Sequence, residues 1–83
     1  MTDPIASTVK AYILDTFLPG ADASELTDET PLISAGILDS LATVRLSTFL
    51  EDQFRIQVEA YEATSENLDT IALIAAFVRT KLA

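Results

Sequence analysis

Asp39-Ser40-Leu41-Ala42-Thr43-Val44-Arg45-Leu46-Ser47-Thr48-Phe49-Leu50-Glu51-Asp52-Gln53-Phe54 is the stretch on which the reading of this 83-residue chain turns. Wound at about 3.6 residues per turn, it places Ala42, Leu46, Phe49, Leu50 and Phe54 on one face. That face is a core stripe, so a helix is expected from Asp39-Ser40 to about Phe54. Leu41, Val44 and Thr48 fall on roughly the opposite face, flanked by Arg45, Glu51 and Asp52. A surface helix ordinarily has one apolar stripe. The second stripe begins beside Ser40 and is expected to be exposed.

The flanking sequence supplies the helices that cover the first stripe. Asp3-Pro4 is a start signal: Asp caps, and Pro suits the first helical position because its missing N–H is not needed there. Ile5, Val9, Tyr12, Ile13 and Phe17 recur at spacings of three and four, and Pro19-Gly20 stops the run, which predicts a helix over about 4–18. Near the other end, Asp69 is expected to cap a helix over 70–82. Ile71, Ile74, Ala75, Val78 and Leu82 would face inward, with Arg79 and Lys81 near its C-terminus, where the dipole favours cations. A short third helix is expected around 60–64, anchored by Tyr61. Three long helices and one short one make an all-α fold class, a small four-helix bundle.

Between Pro19 and Leu38 lies a connection unusually long for so small a chain, and such connections are commonly functional. Leu26, Leu32, Ile33, Ile37 and Leu38 are spread through it without clean periodicity, so the segment is expected to be pinned across the core. A short helical turn is expected near 22–26. No internal repeat is found, and residues 1–83 read as a single domain.

Composition excludes much of the chemistry. The chain has 13 Asp or Glu against 5 Lys or Arg, for a formal charge of −8, and it has no His and no Cys. That balance repels phosphate backbones and excludes nucleic acid as a natural partner. Without Cys there is no disulfide, thiol nucleophile or thiolate metal site. Without His there is no imidazole base, so a self-contained Ser-His-Asp hydrolase is excluded. A calcium-binding helical loop needs Gly at its sixth position and Glu at its twelfth. Centring on Gly20 puts Leu26 in the last place, and centring on Gly36 puts Ala42 there, so both registers fail. No apolar run approaches the roughly 20 residues that span a bilayer, and Asp3 and Pro4 interrupt any secretory pattern. A cytoplasmic location without membrane attachment is expected.

Asp28-Glu29-Thr30-Pro31-Leu32 followed by Gly36-Ile37-Leu38-Asp39-Ser40-Leu41 resembles the prosthetic-group attachment segment of acyl carrier proteins. The resemblance extends over nearly the whole chain in size, acidity and helix arrangement. It implies that Ser40 bears 4′-phosphopantetheine, transferred from coenzyme A by a phosphopantetheinyl transferase, and that the chain is a monomeric carrier, not an enzyme. Ser40 at a helix start would offer unpaired amides and the positive dipole end to a phosphodiester, a contribution of about 0.3–1 kcal/mol at an exposed site. The transferase would supply the base and Mg²⁺. Asp39 has two readings that hold together: an N-cap, and a contact for the transferase and its metal. Leu41, Val44 and Thr48, with Arg45, Glu51 and Asp52, would dock acyl- or aminoacyl-activating and acyl-transferring enzymes that carry basic patches.

The chain departs from the well-known fatty-acid carriers in two places: Arg45 stands where an acidic residue is usual, and Thr48 where a large aliphatic is usual. These departures bear on partner and cargo, so fatty-acid, polyketide, nonribosomal-peptide and aminoacyl pathways all stay open. The alternative is an unmodified acidic interaction module that docks through Leu41 and Val44. Crowded carboxylates also repel one another, and added ions screen that repulsion. NaCl or divalent cations are therefore expected to raise the melting temperature in a thermal scan, and a salt-independent curve would contradict this.

Overall fold

The computed structural model of the chain describes residues 3–82. Helix α1 spans Pro4–Phe17. Asp3 caps it as expected, its Oδ1 accepting the Ile5 amide at 3.0 Å, with Pro4 in the first turn. Val9 and Ile13 are fully buried, while Ile5, Tyr12 and Phe17 pack partly buried against the core. After Leu18, Gly20 adopts φ +87°, a left-handed conformation open to glycine, and the chain reverses. The expected turn is a 3₁₀ turn at Ala23–Glu25, tied by the Ser24 amide donating to Asp22 Oδ1 at 3.0 Å.

Helix α2 runs Ser40–Phe54, and Arg55 ends it at φ 57°, ψ 48°. Its two faces separate as the wheel requires. Leu46 and Leu50 are completely buried and Ala42 nearly so, with Phe49 and Phe54 packed at the margin. Leu41 and Val44 are 64% and 60% exposed. Tyr12 of α1 stacks on Phe49 at 3.9 Å between ring centroids, and its hydroxyl donates to the Arg45 carbonyl at 3.3 Å. This joins α1 to α2 from the solvent side of the core.

The third helix differs from expectation. Ala60–Glu62 is only a 3₁₀ turn, and the short helix α3 follows at Ser65–Leu68. Tyr61 is not an anchor: it is 78% exposed, and the completely buried Leu68 fills that role. The reason is local. Glu59 and Glu62 cap each other's backbone, closing the turn after three residues. The Glu62 side chain also turns inward to Lys81 at 2.7 Å, which leaves Tyr61 on the outside of the turn.

Helix α4 spans Ile71–Leu82, with Ile71, Ile74, Ala75 and Val78 inward as expected. Two details are corrected. Thr70, not Asp69, supplies the cap, its Oγ1 accepting the Leu73 amide at 3.0 Å. Leu82 is 53% exposed, and Phe77 takes an inward place instead. Asp3, which caps the start of α1, pairs with Arg79 in the last turn of α4. The end of α4 therefore overshoots the start of α1 and leaves Leu82 uncovered.

The result is an all-helical array of three long helices and one short, and the described residues contain no strand. No helix is long and apolar enough to cross a membrane. The two faces of α2 should separate energetically. Leu46→Ala should destabilise by about 2–5 kcal/mol in urea unfolding, because it opens a cavity under a fully packed helix. Leu41→Ala should stay within about 0.5 kcal/mol of the parent.

Candidate functional site

The site begins with the loop that delivers Ser40. Leu26, Leu32 and Leu38 are buried along it, and Ile33 and Ile37 pack against the core, so all five aliphatics pin it as the sequence indicated. Polar ties complete the hold. The Leu32 amide donates to the Asp69 carbonyl at 2.5 Å and the Ala72 amide to the Asp28 carbonyl at 3.0 Å. Asp69 Oδ1 accepts the amides of Ile33 and Ser34 at 2.8 and 2.9 Å, and Oδ2 accepts the Ser34 hydroxyl at 2.8 Å. Asp69 thus fastens the loop to the α3–α4 junction. Gly36 at φ +82° then turns the chain, and the Leu38 amide returns to the Leu32 carbonyl at 2.9 Å.

Asp39 and Ser40 follow directly from this fastened turn. Asp39 is the N-cap of α2: its Oδ1 accepts the Ala42 amide at 2.7 Å, and its carbonyl accepts the Thr43 amide and hydroxyl at 2.9 and 2.8 Å. Ser40 is exposed in the first turn of a 15-residue helix. Among the described residues, no acceptor is found for the backbone amides of Ser40 and Leu41. An exposed hydroxyl and two adjacent N–H groups at the positive end of a helix dipole suit a serine-linked phosphate.

Two recesses flank the start of α2 on opposite sides. One, of roughly 210 Å³, is lined by Phe17, Asp39, Leu41, Ala42 and Arg45. The other, of roughly 420 Å³, places Ser40 and Thr43 opposite Ala63, Thr64 and Ser65, over Ile33 and Leu38. Further along α2, Val44, Arg45, Thr48 and Asp52 border a groove with Tyr12 and Phe49. The structure therefore brings Leu41, Val44, Arg45, Thr48 and Asp52 onto one exposed surface. Arg45 has no ion-pair partner among the described residues. Glu51 stands apart: it is half-buried, and its Oε2 accepts the Val58 amide at 3.0 Å. Sequence reasoning missed the fastening by Asp69 and Ser34 and the hydroxyls of Thr43, Thr64 and Ser65. Periodicity carries no signal for contacts that join positions about 35 residues apart.

A small helical array that holds one exposed serine at a fastened helix start, with no base beside it, defines a carrier class of domain: it presents a hydroxyl to be modified. Comparison with known proteins gives the family. The chain belongs to the phosphopantetheine attachment site family, whose family model matches residues 18–78, and the cofactor of such domains is covalently attached 4′-phosphopantetheine. A D-alanyl carrier protein of Streptococcus uberis is 42% identical over 66 residues, covering 77% of this chain and 82% of that protein. The lincomycin biosynthesis protein LmbN of Streptomyces lincolnensis is 41% identical over 66 residues, covering 80% of this chain. The chain spans only 24% of LmbN's length. A solved structure described as a crystal structure of FAD-dependent dehydrogenase contains a chain that superposes with a TM-score of 0.75 at 33% identity, covering 84% of this chain and 97% of that one.

The fastening has a pH signature. Hydrogen bonds from Ser34, with a further one from the Ile33 amide, hold the Asp69 carboxyl below its ordinary value of 3.8, against a smaller opposing effect of desolvation. A folded value below the unfolded one gives stability that is present above the ordinary value and lost as pH falls through the lowered one. Asp69→Asn keeps an acceptor for the two amides but loses the charge. It should melt several degrees below the parent at neutral pH and show a shallower loss of stability on acidification, as read by circular dichroism. Equal acid limbs for the two proteins would overturn this assignment.

Proposed function

We propose that Ser40 is the attachment residue and that the protein serves as a carrier without catalysis of its own. The observation that carries this reading is the exposed Ser40 hydroxyl at the capped start of α2, with two adjacent amides unpaired among the described residues. In the loading reaction the Ser40 Oγ–phosphorus bond forms as the phosphoanhydride bond of coenzyme A breaks. Adenosine 3′,5′-bisphosphate leaves with the electron pair, and the serine proton passes to a base on the transferase. The Ser40 and Leu41 amides receive the phosphodiester, while Asp39 fixes the helix start and offers its exposed edge to the transferase and its metal. When bound, the cofactor supplies the thiol that a Cys-free chain lacks.

The cargo is an acyl-type group held as a thioester, and an aminoacyl group is the best-supported member of that class. The support is the identity to a D-alanyl carrier protein along most of both chains. A fatty-acid role has no comparable support. Leu41 and Val44 form the apolar centre of the docking surface, with Thr48, Arg45 and Asp52 at its rim and Glu51 at its margin. The partners are a phosphopantetheinyl transferase and the enzymes that load and unload the thioester, met in the cytoplasm by a monomer.

Incubation with coenzyme A, Mg²⁺ and a broad-specificity transferase should add one phosphopantetheinyl mass to the native chain and none to Ser40→Ala. Intact-protein mass spectrometry reads the result. No increment on the native chain, or an equal increment on the variant, would overturn the reading.

A further inference from the structure

The recess beside Ser40 has a lining that the loading reaction does not use. Thr64 and Ser65 are exposed, and among the described residues neither hydroxyl has a hydrogen-bond partner. Across the recess, Thr43 is the one buried polar residue among those described, and its hydroxyl donates along the helix to Asp39, which leaves its oxygen free to accept. Between these hydroxyls the floor and wall are apolar, formed by Ile33, Leu38 and Ala63. The core below is closed, since Leu38 is almost fully buried and Leu46 and Leu68 completely so. A long alkyl chain therefore has no opening to enter from this side.

The pantetheine arm has two amides and a geminal dimethyl group, so it alternates the chemistry that this recess alternates. We infer that the recess of Thr43, Thr64 and Ser65 over Ile33, Leu38 and Ala63 is a seat for the arm. Thr64 and Ser65 hydrogen-bond its amides, and the apolar wall takes its methyl groups. The inference rests on Ser40 as the attachment residue. Its volume of roughly 420 Å³ accommodates the arm lying against the surface. The seat also lies away from the docking surface. At about 100° per residue, Thr43 sits about 60° to one side of Ser40, while Leu41 and Val44 sit to the other. An arm at rest in the seat leaves Leu41 and Val44 uncovered, so a partner can dock before the arm is drawn out. The hydroxyl contacts compete with water and are individually weak, which keeps the arm releasable.

The test uses ¹⁵N-labelled protein loaded through a transferase with ¹³C-labelled pantetheine, compared with the unloaded chain by NMR. Expected are amide shifts at Ala63, Thr64 and Ser65 on loading, and cross-peaks from the arm's methyl groups to Ile33 and Ala63. The double variant Thr64→Val, Ser65→Ala should load at the parental rate, keep the parental amide spectrum elsewhere, and lose those cross-peaks. Loading with shifts confined to Asp39, Ser40 and Leu41 and narrow, averaged arm signals would overturn the seat alone. Absence of any mass increment would overturn both the seat and the attachment reading on which it rests.

Discussion

The Asp69 carboxylate is the tie on which the rest of the arrangement depends. A 22-residue connection joins α1 to α2, and only a three-residue 3₁₀ turn within it satisfies its own backbone. Its buried leucines fix its depth but not its path, because hydrophobic burial has no direction. Hydrogen bonds from Ile33 and Ser34 to one carboxylate supply the direction. They set where Gly36 turns and hence where Asp39 begins α2. The position of Ser40 is therefore decided from the far end of the chain, by the junction of α3 and α4.

That remote control explains why the helix start holds together while its surface stays open. The cap Asp39 directs its carboxylate along the chain to Ala42, and Thr43 closes the first turn from inside. Both ties use atoms on the core side, so Ser40 and Leu41 remain on the solvent side without loosening the helix. Leaving Leu41 and Val44 exposed forgoes about 1.5–3 kcal/mol for each fully buried side chain of that size. Leu46, Leu50 and Ala42 hold the helix without them, and Phe49 adds its stack on Tyr12.

What was legible in the sequence followed from periodicity and punctuation. The bounds of α1 and α2, the five pinned aliphatics and the two faces of α2 all express local rules of helix spacing and capping. The failures were of another kind. Asp69 has the side chain of an N-cap and stands where a cap is wanted, yet the neighbouring Thr70 caps α4 and frees Asp69 for the loop. Tyr61 looked like an anchor because aromatic residues usually are, but Lys81 draws Glu62 inward and the turn leaves Tyr61 outside. Leu82 keeps the helical period but lies past the end of its neighbour. Each miss depends on a contact between distant segments, and no local pattern encodes those. The attachment motif was legible because it is local: capping residue, hydroxyl and exposed apolar side chain are consecutive at Asp39, Ser40 and Leu41.

The charge of the chain acquires meaning from the same geometry. Of the five cations in the sequence, Arg79 and Lys81 are committed to Asp3 and Glu62 on the α4 side of the fold. Arg45 is different, since it lies on the exposed face of α2 between the recess at Leu41 and the groove at Val44. An acidic protein attracts basic surfaces from a distance, and that attraction governs the rate of encounter more than the choice of partner. At contact, a cation at Arg45 penalises a partner that is basic at that spot and favours one that offers a carboxylate or a neutral acceptor there. Selection by repulsion needs only one misplaced charge, because a desolvated like-charge pair has no compensating interaction. The surface next to Ser40 is thus built to draw basic proteins in general and to reject those that are basic opposite Arg45.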